Sequence, residues 1–234
     1  MTPDPRVCHS GRVHALQGRW LTDCRWALPS ADRADVATLG ADLLRRWSEP
    51  HRRYHDLTHL TEVLGAVDRL ARAVSLPEAD RAAAVLAAWF HDAVYIVADP
   101  EGNERDSAAL AARALRPLGA DDALVEHVVS LVLDTAAHDL DDASPGLVPD
   151  PARPVLHDAD LWILCSPTGR FDEYCRQVRA EYSHVPVAAY AQARSAVLRP
   201  FLVRPHVYAT DLARREWEPT ARENLARELT RLAA

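Results

Sequence analysis

The sequence contains no lysine, so all 27 of its basic residues are arginines. This absence excludes a P-loop, which needs a lysine at the phosphates. It also leaves any phosphate recognition to the planar guanidinium group. The chain has no excess of positive charge either, because its formal net charge at pH 7 is -7. A nucleic-acid polymer would need a basic surface stripe, so we expect a small-molecule partner instead.

Cysteine is scarce, and the four cysteines show no Cys-x-x-Cys spacing, which argues against a disulfide framework or a thiolate metal site. They are Cys8, Cys24, Cys165 and Cys175. We expect them to be reduced structural residues.

Long apolar runs are also missing. The run 82–90 stops at His91 and Asp92, far short of the length that spans a membrane. The first residues carry no apolar core of a signal peptide. The expectation is therefore a cytoplasmic protein without membrane association.

Helical periodicity covers most of the chain, and strand alternation is not evident. The 234 residues, 48% of them apolar, can bury one full core, so the expected fold is an all-α, single-domain bundle over residues 30–234. Residues 1–29 are expected to form an irregular arm or a short helix, and 139–153 a loop that can cover the site. Apolar residues at three-four spacing predict helices at 36–47 (capped by Ser30 and stopped by Pro50), 57–70, 77–90, 106–115, 123–133, 156–164, 171–182, 188–203 and 211–232.

Histidines and aspartates recur along the chain in an order that suits a metal site. His55 and His59 are four residues apart, a spacing that places two side chains on one helix face. His91 and Asp92 end the apolar run, and further aspartates follow much later. Neutral imidazole and carboxylate together suit a divalent ion such as zinc, manganese, iron, cobalt or magnesium.

The later aspartates are Asp158 and Asp160. Two residues apart on a helix, their side chains point roughly 200° away from each other. One ion should therefore meet only one of them, and the spacing alone does not say which.

Four motifs follow one another in a specific order: Arg-x-Tyr-His-x-x-x-His at 52–59, Trp-Phe-His-Asp-x-Val-Tyr at 89–95, Asn-Glu-x-x-Ser-Ala at 103–108, and Asp-x-Asp-Leu at 158–161. In this order the chain resembles the HD-domain metal-dependent phosphohydrolase superfamily, and within it a bacterial group of predicted phosphohydrolases. The resemblance implies an all-helical domain of the HD type. It also implies a metal site formed by His59, His91, Asp92 and Asp160.

The first motif is similar to that of the cyclic nucleotide phosphodiesterases, in which the first His donates a proton and the second binds metal. This likeness implies that His55 is the catalytic acid. The chain has Asp56 where the phosphodiesterases have Asn, which leaves the partner that orients His55 open. Their Ala-Asp-Leu element places the ligand at Asp160, so Asp158 would be a helix-start acid or the hydrogen-bonding partner of a ligating histidine.

Several other residues are candidates for the same site. Glu104 matches a glutamate of the family that activates water or supports a ligand, or it is the first-turn acid of a helix. His138 falls on a family pattern for contacting phosphate or holding a second ion, or it is an exposed histidine at a helix end. Arg52 and Arg53 adjoin the histidine pair, where at least one of them could grip a phosphate. Weaker candidates, because helical Arg and Glu are usually solvated, are His127, Arg179, Glu181 and Arg194.

The expected function is metal-assisted hydrolysis of a phosphate ester or anhydride. Nucleotides are the favoured substrate class by resemblance alone. One alternative is di-iron oxygenase chemistry, which needs additional histidines, and His127 and His138 are available. Another is a non-catalytic binding module that retains an ion. The sequence leaves open the metal, the substrate and the oligomeric state.

Overall fold

The computed structural model describes residues 5–98, 102–137 and 150–234, with side chains from residue 10 onward. Across these residues the chain is all-helical, without a strand, which confirms the predicted fold class. The α-helices are α1 Pro5–Ala27, α2 Arg33–Trp47, α3 Leu57–Ala73, α4 Glu78–Phe90, α5 Asn103–Leu115, α6 Asp122–Asp134, α7 Ala152–Asp160, α8 Thr168–Glu181, α9 Val187–Val203, α10 Asp211–Glu216 and α11 Glu218–Leu232.

Helix α4 lies at the centre of the bundle. All of its residues from Ala82 to Phe90 are buried, as expected for a helix that is apolar on every side. It packs against α1, α3, α5, α6 and α7. The polar pair His91 and Asp92 follows directly after it, so the chain places these two side chains inside the bundle.

The N-terminal region differs from the expectation of an irregular arm or a short helix. Helix α1 is 23 residues long, and it buries Leu16, Trp20 and Cys24 in the common core. The Trp20 indole donates to the Val36 carbonyl of α2 at 2.7 Å. It packs so closely on Gly40 that a Cβ at that position would collide with it. The sequence did not indicate the length of this helix, because its apolar side chains are not concentrated on one helix face.

Two other predicted boundaries are corrected. The N-cap of α2 is Asp32, not Ser30, since the Asp32 carboxylate accepts from the Ala34 and Asp35 amides. The predicted helix 211–232 is two helices that meet at Trp217. Pro219 lies in the first turn of the second helix. It has no backbone N–H, so it cannot continue the hydrogen bonds of the first helix.

The predicted helix 156–164 also differs in form. Helix α7 begins earlier, at Ala152, and ends at Asp160, after which a short 3-10 helix covers Leu161–Cys165. Of the predicted loop 139–153, residues 139–149 lie outside the described residues, while Ala152 and Arg153 are already helical. No helix in the described part of the chain has both the length and the apolar character that crossing a membrane requires.

Candidate metal centre

Four side chains from three helix ends meet in the bundle. His59 is the third residue of α3, His91 caps the C-terminus of α4 with Asp92 after it, and Asp160 is the last residue of α7. We call this group the inner cluster. Its two Nε2 atoms are 3.2 Å apart. Asp160 Oδ1 lies 3.2 Å from His59 Nε2 and 3.5 Å from His91 Nε2, and Asp92 Oδ2 lies 3.7 and 3.4 Å from the same atoms.

The orientation of the histidines makes these atoms converge. His91 Nδ1 lies 2.9 Å from the Ala88 carbonyl, which fixes its proton on Nδ1 and leaves the Nε2 lone pair facing the cluster. The indole of Trp47 lies against both rings, with centroid distances of 6.2 Å to His59 and 5.4 Å to His91. His59, His91 and Asp92 could therefore hold a metal ion, and Asp160 approaches both imidazoles closely enough to join them.

The electrostatics of the inner cluster favour a cation. Burial lowers the pKa of His91, but Asp92 and Asp160 outweigh it and raise the pKa to about 9. The two carboxylates thus create a strongly negative potential at Nε2. Either a proton or a metal ion can satisfy it.

His55 lies beside the inner cluster and has a different partner. It precedes α3 rather than sharing its face with His59, because Asp56 is the N-cap and accepts from the Thr58 and His59 amides. His55 Nδ1 lies 2.8 Å from Glu181 Oε2. Its ring stacks on Tyr95 with centroids 4.2 Å apart. The orienting partner that the sequence left open is therefore Glu181, not Asp56.

Glu181, at the end of α8, is anchored by five donors. They are the backbone amides of Arg53, Tyr54 and His55, the His55 ring, and the Tyr95 hydroxyl, at 2.8 to 3.1 Å. Burial raises the pKa of Glu181, but the bond and charge of His55 and the amides lower it to about 2. In turn, burial lowers the pKa of His55, and Glu181 outweighs it, so that the pKa of His55 is raised.

Glu181 was only a weaker candidate for the site, yet the sequence contains a signal for its role. The buried residues of α8 are Phe171, Tyr174, Cys175, Val178 and Glu181. Glu181 thus falls on the apolar stripe of its helix. A carboxylate at such a position needs a buried partner.

Arg52 and Arg53 do not line the pocket next to the cluster. The side chain of Arg52 is 0% exposed, and its guanidinium donates to Glu49 and to the carbonyls of His55, Asp92 and Ala93. The prediction that at least one of Arg52 and Arg53 could grip a phosphate is therefore corrected for Arg52. This side chain ties the turn before α3 to the turn after α4, because both turns offer carbonyls to one fork of donors.

Arg53 is exposed, and only its backbone amide points inward, to Glu181. Glu104 does line the pocket, and it is also a first-turn acid of α5, so both interpretations of this residue have a structural counterpart. Burial raises the pKa of Glu104, and Asp92 and Asp160 raise it further. His138 lies outside the described residues.

Asp158 and Asp160 point apart, as their spacing predicts. The Asp158 carboxylate is 0% exposed and accepts from the Ala209 amide and from the amide and hydroxyl of Thr210, at 2.7 to 2.8 Å. His157 Nδ1 is a further partner at 2.8 Å. Asp158 is thus neither a helix-start acid nor the partner of a clustered histidine. It fastens α7 to the segment that begins α10.

A second group of metal-ligating types consists of Asp80, His127 and Asp150, and these side chains are half-buried. We call it the outer cluster. His127 Nε2 lies 2.9 Å from Asp150, and His127 Nδ1 lies 4.0 Å from Asp80. None of the three lines the pocket at the inner cluster. His127 is therefore not the additional histidine of that pocket.

The pocket has a volume of about 310 Å³, at the small end of the range for sites that bind small molecules. The sequence did not indicate its aromatic and aliphatic walls, and it placed Arg194, the one arginine among the described lining residues, only among the weaker candidates. The lining comprises the polar His55, His59, Asp92, Asn103, Glu104, Thr135 and Asp160, the phenols Tyr54, Tyr95, Tyr174 and Tyr182, the apolar Ala136, Leu161, Ile163, Leu164, Val178, Val197, Leu198 and Phe201, and Arg194.

Comparison with known proteins gives no relative: no family model matches the chain, and neither a curated protein nor a solved structure is similar enough to count as a match.

Proposed function

We propose that the chain is a metal-dependent phosphohydrolase that acts on a small phosphorylated molecule, with nucleotides as the favoured substrate class. The observation that carries the proposal is that one pocket joins a buried His/Asp cluster to a separately oriented histidine. A metal site alone would need only the first of these. A positioned proton donor beside it is what phosphate ester hydrolysis needs in addition.

The inner cluster would hold the ion through His59, His91, Asp92 and Asp160. Two imidazoles and two carboxylates suit manganese, iron, zinc or cobalt, and magnesium is the harder-ligand alternative. Such an ion, when bound, lowers the pKa of a coordinated water and polarises a phosphoryl oxygen.

His55 would protonate the leaving oxygen. Its Nδ1 is occupied by Glu181, so Nε2 is the ring atom that faces other partners. The raised pKa of His55 keeps a larger fraction of the ring protonated near neutral pH, which a general acid requires. Glu104 is suited to accept a proton from water, since its raised pKa makes it a stronger base than an exposed glutamate.

The pocket supports hydrolysis better than the two alternatives do. An oxygenase with two irons would draw further histidines into the same pocket, but His127 belongs to the outer cluster, and His138 is not described. A binding module that merely retains an ion has no need of His55 held by a buried carboxylate. The small volume of the pocket also suits a single small molecule rather than a polymer.

The test is a metal analysis followed by a phosphate-release screen. Protein purified without chelators should contain one divalent ion per chain, and it should release phosphate from some phosphomonoesters or nucleotides. Chelation should stop the release, and added metal should restore it. Asp160→Asn should abolish it, whereas Asp106→Asn, an exposed aspartate of α5, should not.

Two results would contradict the proposal. Tight metal binding without turnover of any phosphorylated compound would favour the binding module. Two bound irons with oxygen consumption would favour the oxygenase.

A further inference from the structure

Among the described residues that line the pocket, Arg194 of α9 is the only basic side chain apart from the histidines. The other charged groups there are the carboxylates of Asp92, Glu104 and Asp160. No ion pair links Arg194 to a carboxylate within the described residues. Other partly buried arginines of the chain, such as Arg170 with Glu62, have one.

The partner of Arg194 is a phenol. Its Nη2 donates to the Tyr174 hydroxyl oxygen, and its guanidinium lies 5.2 Å from the centre of the Tyr174 ring. Burial raises the pKa of Tyr174, so the hydroxyl keeps its proton. The oxygen has thus accepted a hydrogen bond and still has a proton to donate.

Beyond their mutual hydrogen bond, Arg194 and Tyr174 therefore present donors for which the described residues supply no acceptor. Within the described residues, no carboxylate, carbonyl or hydroxyl accepts from the Tyr174 O–H, and the guanidinium of Arg194 donates to Tyr174 alone. A donor-only pair in a pocket is complementary to an anion, and a guanidinium is the group that proteins use for phosphate and carboxylate.

The pair is set apart from the inner cluster by one aromatic ring. The centre of the Tyr54 ring lies 4.5 Å from that of Tyr174 and 4.6 Å from that of His59. The apolar side chains of Val197 and Leu198, on the same helix as Arg194, continue the wall. One small molecule can span this distance.

We infer that Arg194 and Tyr174 bind a second anionic group of the ligand, distinct from the group that reaches the inner cluster. The ligand class is thus a small molecule with two anionic groups, phosphate or carboxylate, joined by a flat or apolar body. The inference rests on the proposed function only in taking the reacting phosphate to lie at the inner cluster.

The experiment compares phenyl phosphate with 4-carboxyphenyl phosphate, which carries the same reacting group and one more anion. The quantity is the ratio of their kcat/KM values, measured for the natural protein, Arg194→Gln and Arg199→Gln. Arg199 lies on the same helix and is exposed, so the control removes the same charge. Intrinsic differences between the two leaving groups cancel, because the ratio is compared between proteins.

Arg194→Gln should lower the preference for the second anion by roughly 10- to 100-fold, the worth of a hydrogen-bonded charge. Tyr174→Phe should lower it by roughly 3- to 10-fold, since it removes one hydroxyl and keeps the ring. Arg199→Gln should leave the ratio unchanged. Circular dichroism verifies that each variant is folded, and Tyr174→Phe serves if Arg194→Gln does not fold.

The inference would be overturned if both Arg194→Gln and Tyr174→Phe left the ratio unchanged. This includes the case in which a variant lowers kcat/KM by the same factor for both compounds. Calorimetric titration of the metal-loaded protein with the same two compounds separates this outcome from failure of the proposed function. If no compound is hydrolysed but Arg194→Gln still removes the preference in binding, the subsite stands and the hydrolase proposal fails.

Discussion

The inner and outer clusters contain the same residue types, but their ring nitrogens are directed differently. In the inner cluster the Nε2 atoms of His59 and His91 face each other at 3.2 Å, with carboxylate oxygens beside them. In the outer cluster the single ring of His127 is placed between two carboxylates and presents one nitrogen to each. In the inner cluster the possible ligand atoms therefore point at one common position. In the outer cluster the two ring nitrogens point in different directions, each at its own carboxylate.

From this comparison we expect a metal ion at the inner cluster and not at the outer one, although both bring the same residue types together. A ring with Nε2 at 2.9 Å from Asp150 forms an ion pair when it is protonated, and it needs no metal to satisfy that carboxylate. His91 has its Nδ1 bonded to a backbone carbonyl, so that only Nε2 remains for the cluster. The hydrogen bond from Nδ1 to the backbone carbonyl thus orients the ring so that Nε2 is the nitrogen available as a metal ligand.

The largest expected effect separates the clusters by metal content. His91→Ala should lower metal affinity by at least roughly 100-fold, because even the hydrogen-bonding partners of ligands are worth about 10- to 100-fold. His127→Ala, which removes the histidine of the outer cluster, should leave the metal content unchanged. Elemental analysis of dialysed protein measures both, and helix content should be preserved in each.

Stoichiometric metal in His91→Ala would remove the inner cluster as the binding site. Loss of metal in His127→Ala would show that the outer cluster is occupied, and the argument from converging nitrogens would then be wrong. Asp92→Ala should behave as His91→Ala does.

A second prediction concerns a histidine of the pocket that is not a member of the inner cluster. His55→Ala should keep its metal and lose turnover by roughly 10²–10⁴-fold, the usual worth of general acid-base catalysis. His206→Ala, at an exposed position, is the matched control. Metal loss in His55→Ala equal to that in His59→Ala would make His55 a ligand and refute the acid role.

The same assignment has a pH dependence. In the proposed mechanism the acid form of His55 carries the activity, and its pKa is raised, so the activity of the natural protein should fall as the pH rises through a value above 6.5, the ordinary value for histidine. The pH profile of kcat measures this fall. It should be absent from the residual activity of His55→Ala.

The residues of the inner cluster could be predicted from the sequence, but most of the side chains that surround them in the pocket could not. Order and spacing, together with a family resemblance, were enough to nominate His59, His91 and Asp160, since each lies in a local motif. Glu181 is 126 residues from His55, and no local pattern reports such a contact. Arg194 was only a weaker candidate for the same reason, because its helix approaches the pocket only through the packing of the bundle.

The fold, too, was predictable where the signal is local and was not predictable where it depends on contacts between distant elements. The all-α class followed from apolar periodicity, which is a local property. For residues 1–29 an irregular arm or a short helix was predicted, and the full length of α1 was not, because the burial of Trp20 depends on the space above Gly40, a feature of the neighbouring helix. Arg52 was misassigned because its position beside the histidines suggested a ligand contact, whereas its donors are used by backbone carbonyls.

A third, smaller effect distinguishes the two aspartates of α7. Asp158→Asn should keep the metal but lower the free energy of unfolding by about 1–3 kcal/mol, since the buried carboxylate accepts several hydrogen bonds. Asp160→Asn should lose the metal, and in chelator-treated protein it should cost less stability, because the Asp160 side chain is 12% exposed whereas that of Asp158 is fully buried. Urea denaturation and elemental analysis measure the two properties. The reverse pattern would move the ligand to Asp158.

The smallest expected effect tests the outer cluster as an ion pair. The bond to Asp150 raises the pKa of His127, so this stabilisation is full below the unfolded value of about 6.5 and is lost as the pH rises through the raised folded value. Burial raises the pKa of Asp150, but His127 outweighs it and lowers the pKa. That contribution is present above an unfolded value of about 3.9 and is lost as the pH falls through the lowered folded value.

The coupling between His127 and Asp150 should therefore be greatest between about pH 4 and 6.5. A double-mutant cycle of His127→Ala and Asp150→Asn should give about 0.2–1 kcal/mol near pH 5.5, as for other partly exposed pairs, and less above pH 8. The cycle cancels the separate bond from the Ala152 amide to Asp150, which both backgrounds share. A coupling that does not change with pH would contradict the ion pair. A coupling at pH 8 that grows when a divalent metal is added would identify the outer cluster as a metal site and erase the difference between the two clusters.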